Sequence, residues 1–165
     1  MKLFSTMLIL AVAFFLGMGC DSPTSSKNGT GTLKVLLTDA PASYEAVNVT
    51  ISQVAVHYAG KETTDESSGW EIIAAAGQTF NLLNLTQGIT ALLGNASLPV
   101  GHYTQVRLIV SDASVVNEGT HTLDIPSDTV KLVCGFDIKE GEVTTLIIDF
   151  DADRSVIITG EGQYK

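Results

Sequence analysis

The chain has 165 residues, of which 45% are hydrophobic, and its formal net charge at pH 7 is −9. This length is enough for one hydrophobic core and argues against two independent domains. The small number of lysines and arginines argues against nucleic acid as a partner, because binding to phosphates needs clustered positive charge. The acidity is typical of a solubilising surface, although it would also suit a cation or a basic partner.

The first 19 residues have the pattern of a bacterial secretory signal peptide. Lys2 precedes an apolar run that ends at Leu16, and the small residues Gly17 and Gly19 come before Cys20. The run is too short to span a bilayer comfortably, and small residues before a cysteine resemble the lipobox of lipoproteins. We therefore expect cleavage before Cys20 and lipidation of its sulfur, which would anchor the protein to a membrane outside the cytoplasm. The alternative is a freely secreted or periplasmic domain.

Residues 20–31 are expected to form the lipidated cysteine and a flexible tether, and residues 32–165 a single folded domain. The stretch after Cys20 is rich in serine, threonine and glycine and has no large apolar side chain, so it cannot join a core. With Cys20 lipidated, Cys134 has no partner for a disulfide within the chain. Its apolar neighbours predict that Cys134 is a small buried residue rather than a reactive thiol.

The folded part consists of short β-branched runs between turn residues, which predicts strands. Leu33, Val35 and Leu37 alternate with residues of the opposite parity, so the first strand should bury one face. In the second run, the parity of the apolar residues changes around Ser52 and Gln53. One extra residue at this point predicts a bulged strand.

The middle of the chain predicts a long hairpin loop and one short helix. Residues 59–69 are polar and rich in turn formers, and residues 70–73 and 79–83 predict short strands on their far side. Leucine and isoleucine at helical spacing, followed by a glycine, predict one or two helical turns over residues 85–93. This is the only helix that the sequence predicts.

The remaining segments predict strands alone. The first of these strands begins near residue 99. The Glu118-Gly119 pair predicts a compact hairpin turn between the strands on its two sides. The last predicted strands cover residues 130–138, 143–150 and 155–159. Nine or so short strands with hairpin-length turns favour an all-β protein, and in particular an antiparallel β-sandwich.

Four motifs follow one another along the chain: GTLKVLLTDAP at 31–41, VNVTI at 47–51, PVGHYTQVRL at 99–108 and DFDADRSV at 149–156. In this order they closely resemble the DUF4382 family of bacterial envelope domains, and the resemblance covers almost all of residues 31–165. It implies a β-sandwich of transthyretin-like or immunoglobulin-like type with no established activity. Family members often continue into a further hydrophobic strand, and a shortened member would leave a sheet edge open to another chain.

An acidic series near the C-terminus suggests a calcium site as an alternative function. Asp149, Asp151 and Asp153 would share one face of a strand, and Asp39 would be an extra ligand, because oxygen ligands suit calcium. However, Arg154 stands where a calcium loop of the EF-hand type needs glycine. The competing interpretation is a polar strand end, and no other cofactor is expected.

Two aromatic residues are candidates for ligand contact. Trp70 and Tyr103 would provide platforms for a sugar ring or a protein partner, whereas the alternative is packing in the core or at an edge. His57, His102 and His121 fall on separate predicted segments without the spacing of a zinc motif, so we expect them to be structural or surface histidines. No hydrolase motif is present in the sequence, and we do not expect an enzyme.

These observations predict a lipid-anchored, noncatalytic β-sandwich of the bacterial cell envelope. The membrane is expected to hold it through the lipid on Cys20, and the expected partner is an envelope protein or a glycan. The alternatives left open are the calcium-binding module and the freely secreted or periplasmic domain.

Overall fold

A computed structural model describes residues 29–60 and 69–165. Cys20, the predicted signal peptide and nearly all of the predicted tether lie outside the described residues, as does most of the predicted hairpin loop. The described strands are β1 Thr30–Thr38, β2 Ala46–Tyr58, β3 Trp70–Ala74, β4 Gln78–Asn81, β5 Ala91–Pro99, β6 Gly101–Val116, β7 Thr120–Thr122, β8 Thr129–Ile138 and β9 Val143–Asp149. A 3-10 helix covers Leu82–Leu85 and a short α-helix, α1, covers Ala152–Ser155. None of the described helices is long and apolar enough to cross a membrane.

The strands form two sheets that pack face to face, which confirms the predicted all-β sandwich. The small sheet has the order β5-β1-β9, and the large sheet has the order β3-β2-β6-β7, with β4 also paired to β2 and β8 also paired to β6. A purely antiparallel arrangement is wrong, because β1 runs parallel to β9. The short turn between β8 and β9 passes the chain from the large sheet to the small one, so these consecutive strands do not pair as a hairpin.

The core lies between the sheets, where the alternating apolar residues meet. Leu33, Val35 and Leu37 of β1 are completely buried, as the alternation predicts. The predicted bulge in β2 is confirmed, because the pairing with β6 shifts between Ile51 and Gln53. This shift lets apolar residues of opposite parity on the two sides of the bulge face the same core.

The predicted helix over residues 85–93 is displaced. The helical turn ends at Leu85, and the side chain of Asn81 caps its start by accepting a hydrogen bond from the backbone N–H of Leu83 at 3.2 Å. Leu92 and Leu93 belong instead to β5, which pairs antiparallel with β1. Backbone pairing to a neighbouring strand outweighs the weak local preference of this segment for helix.

The predicted strand over residues 155–159 is also wrong at its start. Asp151 adopts a left-handed conformation with φ of 53° and is the N-cap of α1, whose last residue is Ser155. After the helix the chain forms a small terminal hairpin, in which Ile157 and Lys165 exchange backbone hydrogen bonds of 2.7 and 2.8 Å. The end of β9 therefore turns back over the edge of the sandwich instead of continuing as a strand.

Cys134 is exposed, which corrects the prediction that it is buried. It lies on β8, next to Val133, whose exposed fraction is 85%. The register between β6 and β8 shifts between Tyr103 and Gln105, opposite this part of β8. No described element covers this face of β8, so apolar residues there remain in contact with solvent.

Candidate binding site

A cavity of about 450 Å³ lies between the two sheets, at the end of the sandwich where β9 finishes. Its floor consists of buried aliphatic side chains from both sheets: Val47, Val49, Leu108, Val110 and Ile148. The volume falls within the range of small-molecule binding sites, about 300–1,000 Å³. We refer to these five residues as the cavity floor.

The segment between β7 and β8 forms one wall of the cavity with Leu123 and Ile125. Backbone hydrogen bonds hold this segment against the large sheet: the N–H of Leu123 donates to the carbonyl of Ala113 at 2.9 Å, and the N–H of Val110 donates to the carbonyl of Asp128 at 2.7 Å. The wall is therefore fixed by the backbone before any ligand binds.

Several residues of the cavity lining are polar and exposed, and we refer to them as the rim. This rim consists of Asp124, Ser127, Asp149, Ser155 and Lys165. The ammonium group of Lys165 lies 3.4 Å from a carboxylate oxygen of Asp124. Asp149 forms no ion pair within the described residues, and it shares the exposed face of β9 with Ile147.

Asp39 supports the wall on the side of α1. Only 5% of the surface of this residue is exposed. One carboxylate oxygen accepts a hydrogen bond from the backbone N–H of Ala152 at 2.9 Å, and the other has no hydrogen-bond partner among the described residues. Burial raises the pKa of Asp39, and the charges of Asp149 and Asp151 raise it further, while the backbone N–H groups oppose the shift. Asp39 thus ties α1, which contributes Ala152 to the cavity lining, to the end of β1.

The predicted acidic strand face does not form. The strand ends at Asp149, and Asp151 instead caps α1 by accepting a hydrogen bond from the backbone N–H of Arg154 at 3.3 Å. The side chain of Arg154 also lies 3.4 Å from Asp151. Asp153 lies within α1 and is exposed. Among residues 29–60 and 69–165, no three histidine, cysteine, aspartate or glutamate side chains are placed to hold a metal ion.

Tyr103 has no accessible face for a ligand. It is completely buried, its ring stacks on Phe136 at 5.3 Å between centroids, and its hydroxyl donates to the carbonyl of Pro99 at 3.1 Å. Burial raises its pKa to about 12, with a smaller contribution from Glu71. The interpretation of Tyr103 as a binding platform is therefore replaced by core packing.

Trp70 lies on the outer face of the large sheet. The guanidinium carbon of Arg107 is 3.9 Å from the centroid of its ring, and the ring of His57 approaches it edge-on at 5.2 Å. Arg107 therefore covers one face of the indole, and this contact is a cation–π interaction within the protein. Trp70 and Tyr103 do not share a site.

The three histidines also lie apart, and each has a local partner. His57 is 3.1 Å from the hydroxyl of Thr104, and His102 is 2.8 Å from a carboxylate oxygen of Asp137. His121 is 3.2 Å from the carbonyl of Asn117. These contacts agree with the prediction of hydrogen-bonded structural or surface histidines.

A family model described as a domain of unknown function, DUF4382, matches residues 30–165. The chain belongs to the DUF4382 family. No curated protein and no solved structure matches it.

The cavity of this DUF4382 domain was not predicted from the sequence. Each floor residue, such as Val49 or Leu108, fits an ordinary core position on an alternating strand. The available signal was the apolar pair Leu123 and Ile125 just before Pro126, in a segment between strands. A segment of this kind is expected to cover an apolar surface, but its position over the gap between the sheets depends on the tertiary fold.

Proposed function

We propose that this DUF4382 domain is a noncatalytic binding module, anchored outside the cytoplasm by lipid at Cys20, and that it binds an apolar group of an envelope molecule in the cavity. The observation that carries the proposal is the preformed apolar cavity. A roomy site lined by aliphatic side chains holds water poorly, since water needs polar partners there. A ligand that buries its own apolar surface would gain about 25 cal/mol for each Å² removed from water.

The chemistry of the cavity supports binding rather than catalysis. The cavity floor presents only hydrocarbon side chains, which contain no nucleophile, general acid or general base. A glycan is a less suitable ligand than an apolar group, because sugar rings need polar partners and open aromatic faces. Trp70, the candidate for such a face, is covered on one side by Arg107.

The start of the described chain and the cavity lie toward opposite ends of β1, which supports the proposal of an N-terminal anchor. Gly29 lies beside Val100, whose backbone N–H donates to its carbonyl at 3.0 Å, whereas the cavity lies near the other end of β1. With nine residues, β1 extends over about 26 Å at about 3.3 Å per residue. A tether that enters at Gly29 would leave the cavity facing away from the membrane, where it would be open to other envelope molecules.

The anchor is tested by metabolic labelling with a palmitate analogue, followed by membrane fractionation. We expect the wild type to be labelled and membrane-bound, and Cys20→Ala to lose both properties. Cys134→Ala is the matched control, because it removes the other cysteine and leaves the lipobox intact. A wild-type protein that is unlabelled and soluble would contradict the anchor and favour the freely secreted or periplasmic domain.

The cavity is tested with the neutral apolar dye N-phenyl-1-naphthylamine, using residues 20–165 with Cys20→Ser so that no lipid is attached. We expect the dye to fluoresce on binding, and Val110→Phe to reduce this signal at least about tenfold by filling the cavity. Ile109→Phe is the matched control, because Ile109 is the adjacent residue of β6 and does not line the cavity.

The melting temperature of each variant shows whether it is folded. If Val110→Phe does not fold, Ala113→Leu provides a smaller filling substitution at another position of the lining. Equal dye binding by the wild type and a folded cavity-filled variant would contradict the proposed site.

A further inference from the structure

The edge strand β8 has a free side along most of its length. Within the described residues it pairs with β6 and with no other strand. Its middle residues Val133, Cys134 and Gly135 are exposed. An unpaired strand edge presents backbone N–H and C=O groups that another strand can bind. The middle of β8 is therefore available for pairing with a second chain.

The neighbouring strand β9 restricts this free side at one end. The hydroxyl of Thr144 donates a hydrogen bond to the carbonyl of Asp137 at 3.0 Å, and Ile138 is buried. Residues 132–136 lie before this contact. A backbone ladder with a second chain would therefore be short and would be centred near the middle of β8.

The two faces of β8 differ in chemistry. Leu132 lines the cavity between the sheets, and Phe136 stacks on the buried ring of Tyr103, so the even-numbered residues face inward. Lys131 and Asp137 have the opposite parity and are exposed. The outer face of β8 therefore carries one cation and one carboxylate.

On this outer face, Lys131 lacks a partner of opposite charge. It lies directly opposite Arg107 of β6, and like charges in this position are unfavourable. Lys131 forms no ion pair within the described residues. One carboxylate oxygen of Asp137 is 2.8 Å from Nδ1 of His102, yet 65% of the Asp137 side chain is exposed. Both charges can therefore be reached by a second chain.

The spacing of the two charges makes β8 complementary to itself. Lys131 and Asp137 each lie three residues from Cys134, so two antiparallel copies centred on Cys134 set each lysine opposite an aspartate. Residues that pair in an antiparallel ladder share a face, so the centre of a symmetric pairing falls on a residue. Moving the centre one residue forward would set Lys131 opposite Lys139, and moving it one residue back would set Lys131 opposite Gly135. The charges match in the register centred on Cys134.

The apolar residues also match in this register. Leu132 of one copy lies opposite Phe136 of the other on the inner face, and pairs of aromatic and aliphatic side chains across strands are stabilising. Val133, whose exposed fraction is 85%, lies opposite Gly135, which has no side chain to block its approach.

We propose that two copies of this domain form a two-fold symmetric dimer by antiparallel pairing of their β8 strands. The pairing is centred on Cys134, and Lys131 of each copy pairs with Asp137 of the other. The same surface serves both copies, as in other two-fold interfaces. Because the ladder is short and the ion pairs are exposed, the dimer is weak and forms at high concentration. This inference does not depend on the cavity.

The test is sedimentation equilibrium of residues 20–165 with Cys20→Ser, under reducing conditions. We expect a monomer–dimer equilibrium. Lys131→Glu and Asp137→Lys each set like charges opposite one another at two places, and each should raise the dissociation constant about tenfold. The double variant restores opposite charges and should return the dissociation constant to within about threefold of the starting value.

Two controls separate this effect from overall charge. Asp137→Lys lowers the negative charge of the protein, so general repulsion cannot explain a weaker dimer in this variant. Lys139→Glu makes the same charge change as Lys131→Glu just after β8, and it should leave the dissociation constant nearly unchanged. Neither Lys131 nor Asp137 lines the cavity, so both charge reversals should retain binding of the dye.

Cys134 provides a second measurement of the register. Directly opposed residues of an antiparallel pair have Cα atoms about 4.5–5.5 Å apart, which is within the range of a disulfide. Copper phenanthroline with oxygen takes two electrons and two protons from a pair of thiols, and it should join two chains through Cys134. The yield should fall in Lys131→Glu. Cys134 should also react with maleimide rapidly in the dilute monomer and more slowly as the dimer forms.

Several outcomes would overturn the dimer or its register. A strict monomer at every accessible concentration would overturn the dimer. A dimer that is unaffected by the charge reversals, or that the double variant does not restore, would overturn the register. Melting temperatures show whether each variant is folded. If Asp137→Lys does not fold, Asp137→Asn removes the attraction without adding repulsion and should weaken the dimer about threefold.

Discussion

Asp39 shows how a single residue can be misread from sequence. The turn that contains it is compatible with a ligand carboxylate or with a turn cap, and these two roles give the same local pattern. In the fold, Asp39 is buried and accepts the backbone N–H of Ala152 from a segment that is distant in sequence. Its free oxygen has no partner among the described residues, so the negative charge is costly where it stands.

This cost predicts a pH-dependent effect of Asp39→Asn. Since the pKa of Asp39 is raised in the folded state, folding favours the neutral acid more than the unfolded chain does, and this contribution to stability is lost as the pH rises from the ordinary pKa of 3.8 through the raised one. Asparagine keeps an oxygen for Ala152 and has no charge. We therefore expect the variant to be more stable than the wild type at pH 7, by on the order of 1 kcal/mol, with the advantage vanishing below pH 3.8.

The measurement is the melting temperature of both proteins between pH 3 and pH 8. Asp153→Asn is the control, because Asp153 is an exposed aspartate nearby and its substitution should leave the difference near zero. If Asp39→Asn melts at a lower temperature than the wild type at pH 7, the charge of Asp39 stabilises the folded protein. That result would favour Asp39 as a ligand for a bound cation.

The sequence also does not determine whether the rings of Tyr103 and Trp70 are buried or face outward. Tyr103 and Trp70 both occur on strands with alternating neighbours, so the sequence allows either packing or exposure. Tyr103 points into the core and stacks on Phe136, whereas Trp70 points outward and lies against Arg107. The difference depends on which neighbours the sheet places beside each ring, and those neighbours come from other strands.

At the scale of elements, strong local alternation was a reliable guide. The strands β1 and β2 follow their predicted patterns, including the bulge at Ser52 and Gln53, because the period of two belongs to each strand itself. Residues 91–93 were predicted as part of a helix, and they pair with β1 as part of β5. Where the local pattern is weak, as in residues 91–93, pairing with a strand that is distant in sequence decides the secondary structure. Where the alternation is strong, the predicted strand forms.

The edge strand β8 is the second exception among the elements. Its apolar run from Val130 to Cys134 predicts burial, but β8 pairs only with β6 among the described strands. The outer side of the run, with Val133 and Cys134, is exposed. The sequence cannot distinguish an edge strand from a central one when both are apolar.

We predict that Cys134 reacts freely with a maleimide in the native protein. In residues 20–165 with Cys20→Ser, Cys134 is the remaining thiol, so labelling reports on this position alone. Because the side chain is exposed, the native protein should be labelled to one equivalent at nearly the rate measured in denaturant. Labelling that requires denaturant would contradict the exposed edge and indicate that another element or chain covers β8.

For the whole molecule, the functional arrangement depends on how the two sheets are joined. The turn after Ile138 moves the chain across the sandwich, and β9 then pairs parallel to β1. This crossing brings Ile148 and α1 over the same gap as Val110 and the segment after β7. The cavity and Gly29 therefore lie toward opposite ends of β1.

The sequence by itself determined the family, the all-β class, the core faces of the strong strands and the bulge in β2. These properties depend on residue types and spacing within one segment. Only the tertiary structure decided the parallel pairing of β1 with β9, the exposure of Cys134, the burial of Asp39 and the presence of the cavity. Each of these depends on which segments meet across the two sheets, and a pattern of period two specifies which face of a strand is buried but not which strand will cover it.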